Sequence, residues 1–108
     1  EPGGTPIGEA IRGILLDPAN EAMCKETEIL LYAAARAQHV VEIIRPKLAE
    51  GEVVISDRYA DATTAYQGAA RGFSPHQLSA VHQLATDNLQ PHLTIVLDVP
   101  VADGLSRV

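Results

Sequence analysis

Apolar residues near the start of this chain recur with the period of an α-helix. Thr5 can cap a helix that has Pro6 at its first position, and the Asp17-Pro18 pair ends it. The apolar positions that share one face of this helix are Ile7, Ala10, Ile11, Ile14 and Leu15. The pattern therefore predicts a first amphipathic helix of about three turns.

A longer helical pattern follows, from about Thr27 towards Arg45, and Pro46 kinks or restarts it. Its apolar line consists of Leu30, Leu31, Ala34, Ala37, Val41 and Ile44. Farther along, residues 61–67 are predicted as a polar helix or loop that Gly72 breaks. Ser74 and Pro75 then cap and start a helix that reaches towards Leu89. Residues 101–108 are predicted as the first turns of another helix.

Two segments are almost wholly apolar instead. Residues 53–56 follow Gly51 and begin with three β-branched residues, and residues 93–99 follow Pro91, with Asp98 near their end. Both are predicted to be short buried strands. Because helices join them, we expect a right-handed parallel crossover, which is the unit of an open α/β sheet.

Asp57 and Arg58 stand at the carboxyl end of the first predicted strand. Ligands of open α/β sheets bind beyond the strand carboxyl ends, where an acid can address a metal and a guanidinium can address a phosphate. An ordinary ion pair in a loop is the alternative interpretation. The Asp-Arg pair alone does not decide between them.

Tyr32 and Arg36 are four residues apart on the long helix, so they share one face. Together they could offer a ring to a base and a guanidinium to a phosphate. By spacing alone, the simpler alternative is favoured: Tyr32 packs at the helix margin and Arg36 reaches solvent or a surface acid. Arg12 on the first helix is either a surface cation or a further group near the same ligand.

Composition limits the function classes. The 108 residues are 46% hydrophobic and 20% charged, which is typical of one globular domain or part of one. A net charge of -6 without a basic run argues against a nucleic-acid partner. Cys24 is the single cysteine, which favours a reducing compartment, and we expect the cytoplasm. No apolar stretch is long enough to span a bilayer.

Other catalytic chemistries lack a pattern. The four histidines, His39, His76, His82 and His92, have no spacing that makes a metal site on one helix face, and we expect them at the surface or at the margin of the core. No serine lies in a nucleophile elbow, so covalent hydrolase chemistry has no support.

Several motifs in register resemble the bacterial thymidylate kinase family. They are Glu1-Pro2-Gly3-Gly4-Thr5, the helix with Thr27-Glu28, Tyr32, Arg36 and Gln38-His39, then Asp57-Arg58-Tyr59, Ala65-Tyr66-Gln67-Gly68, Arg71-Gly72, and residues 93–98. The resemblance covers essentially all 108 residues. It implies a P-loop nucleoside-monophosphate kinase-like α/β fold, a parallel sheet flanked by helices, of which residues 1–108 are the central part of a single domain. It also implies transfer of the γ-phosphoryl group of ATP, with Mg²⁺, to dTMP.

The resemblance also implies roles for individual residues. Tyr32 matches an aromatic residue that stacks on thymine, and Arg36 and Arg58 match arginines that hold the thymine edge and the acceptor phosphate. Asp57 matches an acid that supports the magnesium shell through water. Asp57, Arg58 and Arg36 are therefore the expected catalytic residues.

Further residues are expected to bind the substrate on the same grounds. Arg12 matches a basic position near the monophosphate. The remaining substrate-binding positions are Thr63, Tyr66, Gln67, Glu1 and Pro2.

One departure from the family pattern limits the expectation. The 108 residues contain no Gly-x-x-x-x-Gly-Lys-Ser/Thr loop and no arginine-bearing lid, so we expect an interior piece that is inactive by itself and poorly stable. The alternatives are a related nucleoside-monophosphate kinase and a non-catalytic nucleotide-binding or dimerisation fragment. Apolar helix faces are consistent with a homodimer or with core burial.

Overall fold

The computed structural model describes residues 3–108, and all regular structure within that range is helical. The α-helices are α1 Pro6–Leu16, α2 Lys25–His39, α3 Arg45–Ala49, α4 Ala60–Thr63, α5 Pro75–Thr86 and α6 Val101–Ser106. A 3₁₀ turn covers Pro18–Asn20, and two π-helical segments cover Val40–Ile44 and Thr64–Ala69. Among these helices, none combines the length and the apolar character that crossing a membrane requires.

The predicted start of α1 is confirmed. Thr5 is buried, and its Oγ1 accepts a hydrogen bond of 2.9 Å from the Gly8 amide, while Pro6 occupies the first turn. The Glu9 carboxylate accepts a hydrogen bond of 3.1 Å from the Gly4 amide. Gly4 has φ +89°, a conformation that the turn before the helix requires and that favours glycine.

The long predicted helix forms, but with a change of winding. α2 continues without a break into the π-helical segment Val40–Ile44 and then α3. The Arg45 amide bonds to the Val40 carbonyl, five residues back. Pro46 follows directly and has no amide hydrogen to donate, so the helical hydrogen bonding changes just before it from four-residue to five-residue spacing.

Most positions of the apolar line named for this helix are not buried within the described residues. Leu30 is 58% exposed and Val41 is 67% exposed, and only Ile44 of the predicted line is buried. The side chains that are buried at helical spacing are Ile29, Ala33, Arg36, Val40 and Ile44. Because apolar residues occupy both sides of α2, hydrophobicity alone did not identify the side that α1 and α5 cover.

The start of α5 agrees with the prediction. Ser74 Oγ accepts from the Gln77 amide at 3.2 Å, and the Gln77 side chain accepts from the Ser74 amide at 3.0 Å. This reciprocal capping box satisfies amides that have no partner inside the helix. α5 ends at Thr86, before the predicted end near Leu89. The next residue, Asp87, adopts the left-handed conformation with φ 51° and ends the helix.

The predicted strands are not formed within residues 3–108. Residues 53–56 and 93–99 have no regular secondary structure and no backbone hydrogen bond to a neighbouring segment, and Val53 and Ile55 are 88% and 91% exposed. A strand is stabilised by pairing with an adjacent strand, and neither segment meets a partner here. The parallel crossover expected from the sequence is therefore absent from the described part of the chain.

Candidate functional site

A cavity of about 140 Å³ opens between α2 and the helical stretch formed by α4 and the π-helical segment after it. The residues that line it are Tyr32, Arg36, Arg58, Ala62, Thr63, Tyr66 and Gln67. All of them except Ala62 were predicted from the sequence to bind substrate. The structure thus brings side chains from three separate sequence motifs to one place.

Arg36 is the most enclosed charged group of this cavity, with 2% of the residue exposed. Its Nη1 donates a hydrogen bond of 2.8 Å to Oγ1 of Thr63, which is also 2% exposed. The guanidinium carbon lies 5.5 Å from the centroid of the Tyr59 ring, and the Tyr59 hydroxyl donates to the Leu89 carbonyl at 3.1 Å. Arg36 therefore neither reaches solvent nor lies at the surface, which favours the binding-site interpretation of its spacing with Tyr32.

Arg58 also lines the cavity. Its guanidinium lies 5.2 Å from the Tyr66 ring centroid, and its backbone has φ 74°, an unfavourable conformation for an arginine. Ser56 Oγ donates a hydrogen bond of 2.7 Å to the Arg58 carbonyl and so helps to hold this bend. Backbone strain of this kind clusters at functional sites, where it fixes the direction of a side chain.

The π-helical segment Thr64–Ala69 presents Tyr66 and Gln67 to the cavity. A π-helical turn is wider than an α-turn and commonly marks a functional site. Gln67 and Gly68 are buried, whereas Tyr66 is more than half exposed. The segment thus combines a fixed inner side with an aromatic ring at the mouth of the cavity.

Two of the predicted residues within residues 3–108 lie elsewhere. Arg12 is exposed on α1 and does not line the cavity. Asp57 is exposed directly before Arg58 but does not line it either. Glu1 and Pro2 lie outside the described residues.

Potential metal ligands do not cluster in the described part of the chain. Within residues 3–108, no three histidine, cysteine, aspartate or glutamate side chains come close enough together to hold a metal ion.

Sequence reasoning did not assign three residues that contribute to this region. Ala62 lines the cavity but carries no chemical signal. Tyr59 supports Arg36, and its position directly after the Asp-Arg pair is the signal that could have identified it.

His82, the third, fits the expected margin of the core, and its Nε2 lies 3.0 Å from Thr64 Oγ1. Burial lowers the pKa of His82, the Arg36 charge lowers it further, and Asp61 opposes the shift.

Comparison with known proteins agrees with these motifs. The family model for thymidylate kinase matches residues 1–108. Thymidylate kinases of Pseudomonas syringae pv. syringae and Geotalea uraniireducens are 56% and 57% identical over 107 residues, which are 99% of this chain and 51% and 50% of those proteins. The thymidylate kinase of Desulforudis audaxviator is 56% identical over 108 residues, or 49% of its length. The chain spans about half the length of these curated relatives. On this evidence, the chain belongs to the thymidylate kinase family.

Proposed function

We propose that the complete protein transfers the γ-phosphoryl group of ATP to dTMP, and that these 108 residues supply the dTMP side of the site. The observation that carries the proposal is the cavity, which gathers six of the predicted substrate residues in a chain of this family. A related monophosphate kinase is less well supported, because the relatives compared above are thymidylate kinases.

The cavity offers groups that suit a pyrimidine nucleotide. We propose that the Tyr32 ring stacks on thymine, while Thr63, Tyr66 and Gln67 line the base and the sugar. The Arg36 guanidinium is fixed by Thr63 and Tyr59, so it can hold the base edge or the phosphate without first losing side-chain freedom. Preorganised donors of this kind favour one orientation of the ligand.

The two arginines supply the charge that phosphoryl transfer requires. Arg36 is buried and Arg58 is exposed at the mouth, so a phosphate between them would meet positive charge from two elements. Loss of one such electrostatic contact typically costs about 3 kcal/mol of transition-state stabilisation, or about a hundredfold in rate. We propose that Arg12 approaches the monophosphate as a third cation, although it does not line the cavity.

ATP and Mg²⁺ require residues beyond those of the cavity. The 108 residues contain no phosphate-binding Gly-x-x-x-x-Gly-Lys-Ser/Thr loop, so we propose that other residues of the complete protein hold the ATP phosphates. We propose that Asp57 contributes to the magnesium shell through water, since no cluster of three metal-binding side chains forms among the described residues to enclose the ion. When bound, Mg²⁺ neutralises charge on the transferring phosphate.

We further propose that the complete protein is a cytoplasmic homodimer. The single cysteine suits a reducing compartment. Leu30 on α2 and Val41 in the π-helical segment are large apolar side chains that are exposed. Such exposed apolar side chains are suited to contact with a second copy of the chain. Sedimentation of the wild type and of Leu30→Glu tests this, since an unchanged oligomeric state would reject this surface.

The kinase proposal is tested by ATP-dependent formation of dTDP by the complete protein, with dTMP compared against dUMP, dCMP and dGMP. Arg36→Met and Arg58→Met should each reduce kcat/KM for dTMP about a hundredfold. Arg107→Met is the matched control, because Arg107 is exposed after α6 and distant in the sequence from the cavity residues. Absence of dTDP, a preferred substrate other than dTMP, or an equal loss in Arg107→Met would contradict the proposal.

The 108 residues alone should give no ATP-dependent dTDP. Turnover by this segment by itself would show that the ATP side does not require other residues.

A further inference from the structure

His82 lies on α5, behind the turn that carries the cavity residues. Its Nε2 is 3.0 Å from Oγ1 of Thr64, the first residue of the π-helical segment. Thr64 Oγ1 also donates a hydrogen bond of 3.3 Å to the Ala60 carbonyl. Within α5, the Oγ1 of Thr86 donates a hydrogen bond of 2.7 Å to the backbone carbonyl of His82. A chain of contacts thus joins α5 to the start of the π-helical segment.

These two contacts of Thr64 favour one tautomer of the histidine. A threonine hydroxyl has one hydrogen, and the Ala60 carbonyl, which can only accept, must take it if both contacts of Thr64 form together. The Thr64 oxygen then accepts a hydrogen bond from His82, so Nε2 carries the proton and Nδ1 is the bare nitrogen. The alternative tautomer would place an N–H at Nδ1, which is closed off from solvent and has no hydrogen-bond partner among the described residues.

The same surroundings disfavour a charged ring. An imidazolium would carry a second N–H at buried Nδ1, without an acceptor in residues 3–108. Arg36 of α2 adds a repulsive positive charge, and Asp61 of α4 offers a smaller opposing attraction. The position therefore suits a neutral histidine, and protonation favours movement of the ring towards water.

We propose that His82 is a positioning residue for the monophosphate pocket: its neutral ring holds Thr64, and thereby fixes the turn that presents Thr63, Tyr66 and Gln67. This inference rests on the proposed dTMP kinase function. His82 does not line the cavity, so its effect on the nucleotide passes through Thr64. We therefore expect dTMP binding to weaken, and KM for dTMP to rise, as the pH falls below the ordinary range of histidine titration.

The test is steady-state kinetics of the complete protein with dTMP at pH 7.5 and pH 5.5. The variants are His82→Leu, which removes the donor, and His82→Gln, which replaces the ring with an amide that does not titrate. His76→Gln is the matched control, because His76 is an exposed histidine on the same helix. The phosphate of dTMP titrates near pH 6, so each variant is expressed as a KM ratio to the wild type at the same pH.

At pH 7.5, His82→Leu should raise KM for dTMP about 3- to 10-fold, the range expected for one hydrogen bond, with kcat changed less. His82→Gln should restore part of the loss. At pH 5.5 the ratio for His82→Leu should be lower than at pH 7.5, in proportion to the fraction of the wild-type ring that is protonated and has released Thr64. His76→Gln should give a ratio near one at both values.

Two results would overturn the role of His82. One is a KM ratio near one at pH 7.5 in an active enzyme, and the other is a raised ratio that stays constant with pH, as a purely structural defect would give. Both results require an active wild-type enzyme. If the wild type instead forms no dTDP at pH 7.5, the proposed kinase function is rejected, and the role of His82 is rejected with it. Circular dichroism of His82→Leu shows whether this variant is folded. If it is not folded, the KM ratios of folded His82→Gln at the two pH values are used instead.

Discussion

Removal of the Thr63 hydroxyl tests whether the buried arginine is held as the structure indicates. Thr63→Val keeps the shape of the side chain but leaves Arg36 Nη1 without the acceptor it now has at 2.8 Å. Both residues are 2% exposed, so water cannot easily replace that acceptor. We therefore expect Thr63→Val to destabilise the protein and to weaken dTMP binding together.

The expected magnitude follows from these contacts. An unsatisfied buried donor costs about 1–3 kcal/mol, and hydrogen bonds to charged groups lie in the upper part of the usual range. Arg36 keeps its contact with the Tyr59 ring in this variant, so we expect a loss of about 2 kcal/mol. Arg36→Met should lose less in the Thr63→Val background than in the wild type, with a coupling of about 1–2 kcal/mol.

Urea unfolding of the complete protein measures these free energies for the two single variants and the double variant. Ser79→Ala is the control, because it removes an exposed hydroxyl from α5 and should change stability by less than about 0.5 kcal/mol. Binding of dTMP is measured on the same samples. Additive effects of Thr63→Val and Arg36→Met would refute the argument, since they would show that the contact holds nothing in place.

Three further predictions concern other parts of the molecule. Gly68→Ala should cost about 1–3 kcal/mol, because its Cβ would lie 2.5 Å from Leu78 Cδ1, and Leu78→Val should relieve part of this loss in thermal unfolding. Burial, and then Arg36, lower the pKa of His82, so the unfolded chain binds that proton more readily. Its contribution to stability should thus be full above about pH 6.5 and decline as the pH falls towards the folded-state pKa, and the urea midpoint should fall more for the wild type than for His82→Gln. A hydrogen bond with Thr27 lowers the pKa of the exposed Cys24 thiol, so Thr27→Val should slow its alkylation by iodoacetamide at pH 7.5, whereas an unchanged rate would contradict this cause.

Local signals were the reliable part of the sequence. The helix starts at Thr5-Pro6 and Ser74-Pro75 form as predicted, because a cap and an initial proline act over one turn and require no distant partner. The site residues were predicted through motifs rather than through periodicity. Spacing alone favoured a surface position for Arg36, whereas the structure buries it against Thr63, 27 residues away in the chain.

The π-helical segments and the conformation of Arg58 were not predictable in the same way. A π-helical turn forms where the regular α-helical hydrogen bonds are interrupted. For the segment Val40–Ile44 the local cause is Pro46, which has no amide hydrogen to donate. The segment Thr64–Ala69 contains no proline, and Gly68 packs against Leu78 of α5, so its winding follows tertiary contact. Likewise, φ 74° at Arg58 has no sequence signal, because arginine does not favour that conformation.

The cavity and the predicted strands differ in which contacts they need: the cavity is formed by contacts between helices, whereas a strand needs a neighbouring strand. Arg36, Thr63 and Gln67 are buried through contacts among α2, α4, α5 and the π-helical segment, all of which lie within residues 3–108. Val53 and Ile55 are exposed although they are β-branched and apolar, which is a costly arrangement for an isolated segment in water. Pairing of residues 53–56 with a neighbouring strand would bury them and would also fix the backbone that leads directly into Asp57 and Arg58. We therefore expect the Arg36 side of the cavity to be formed by these helices alone, and the position of Arg58 to depend on whether residues 53–56 pair in this way.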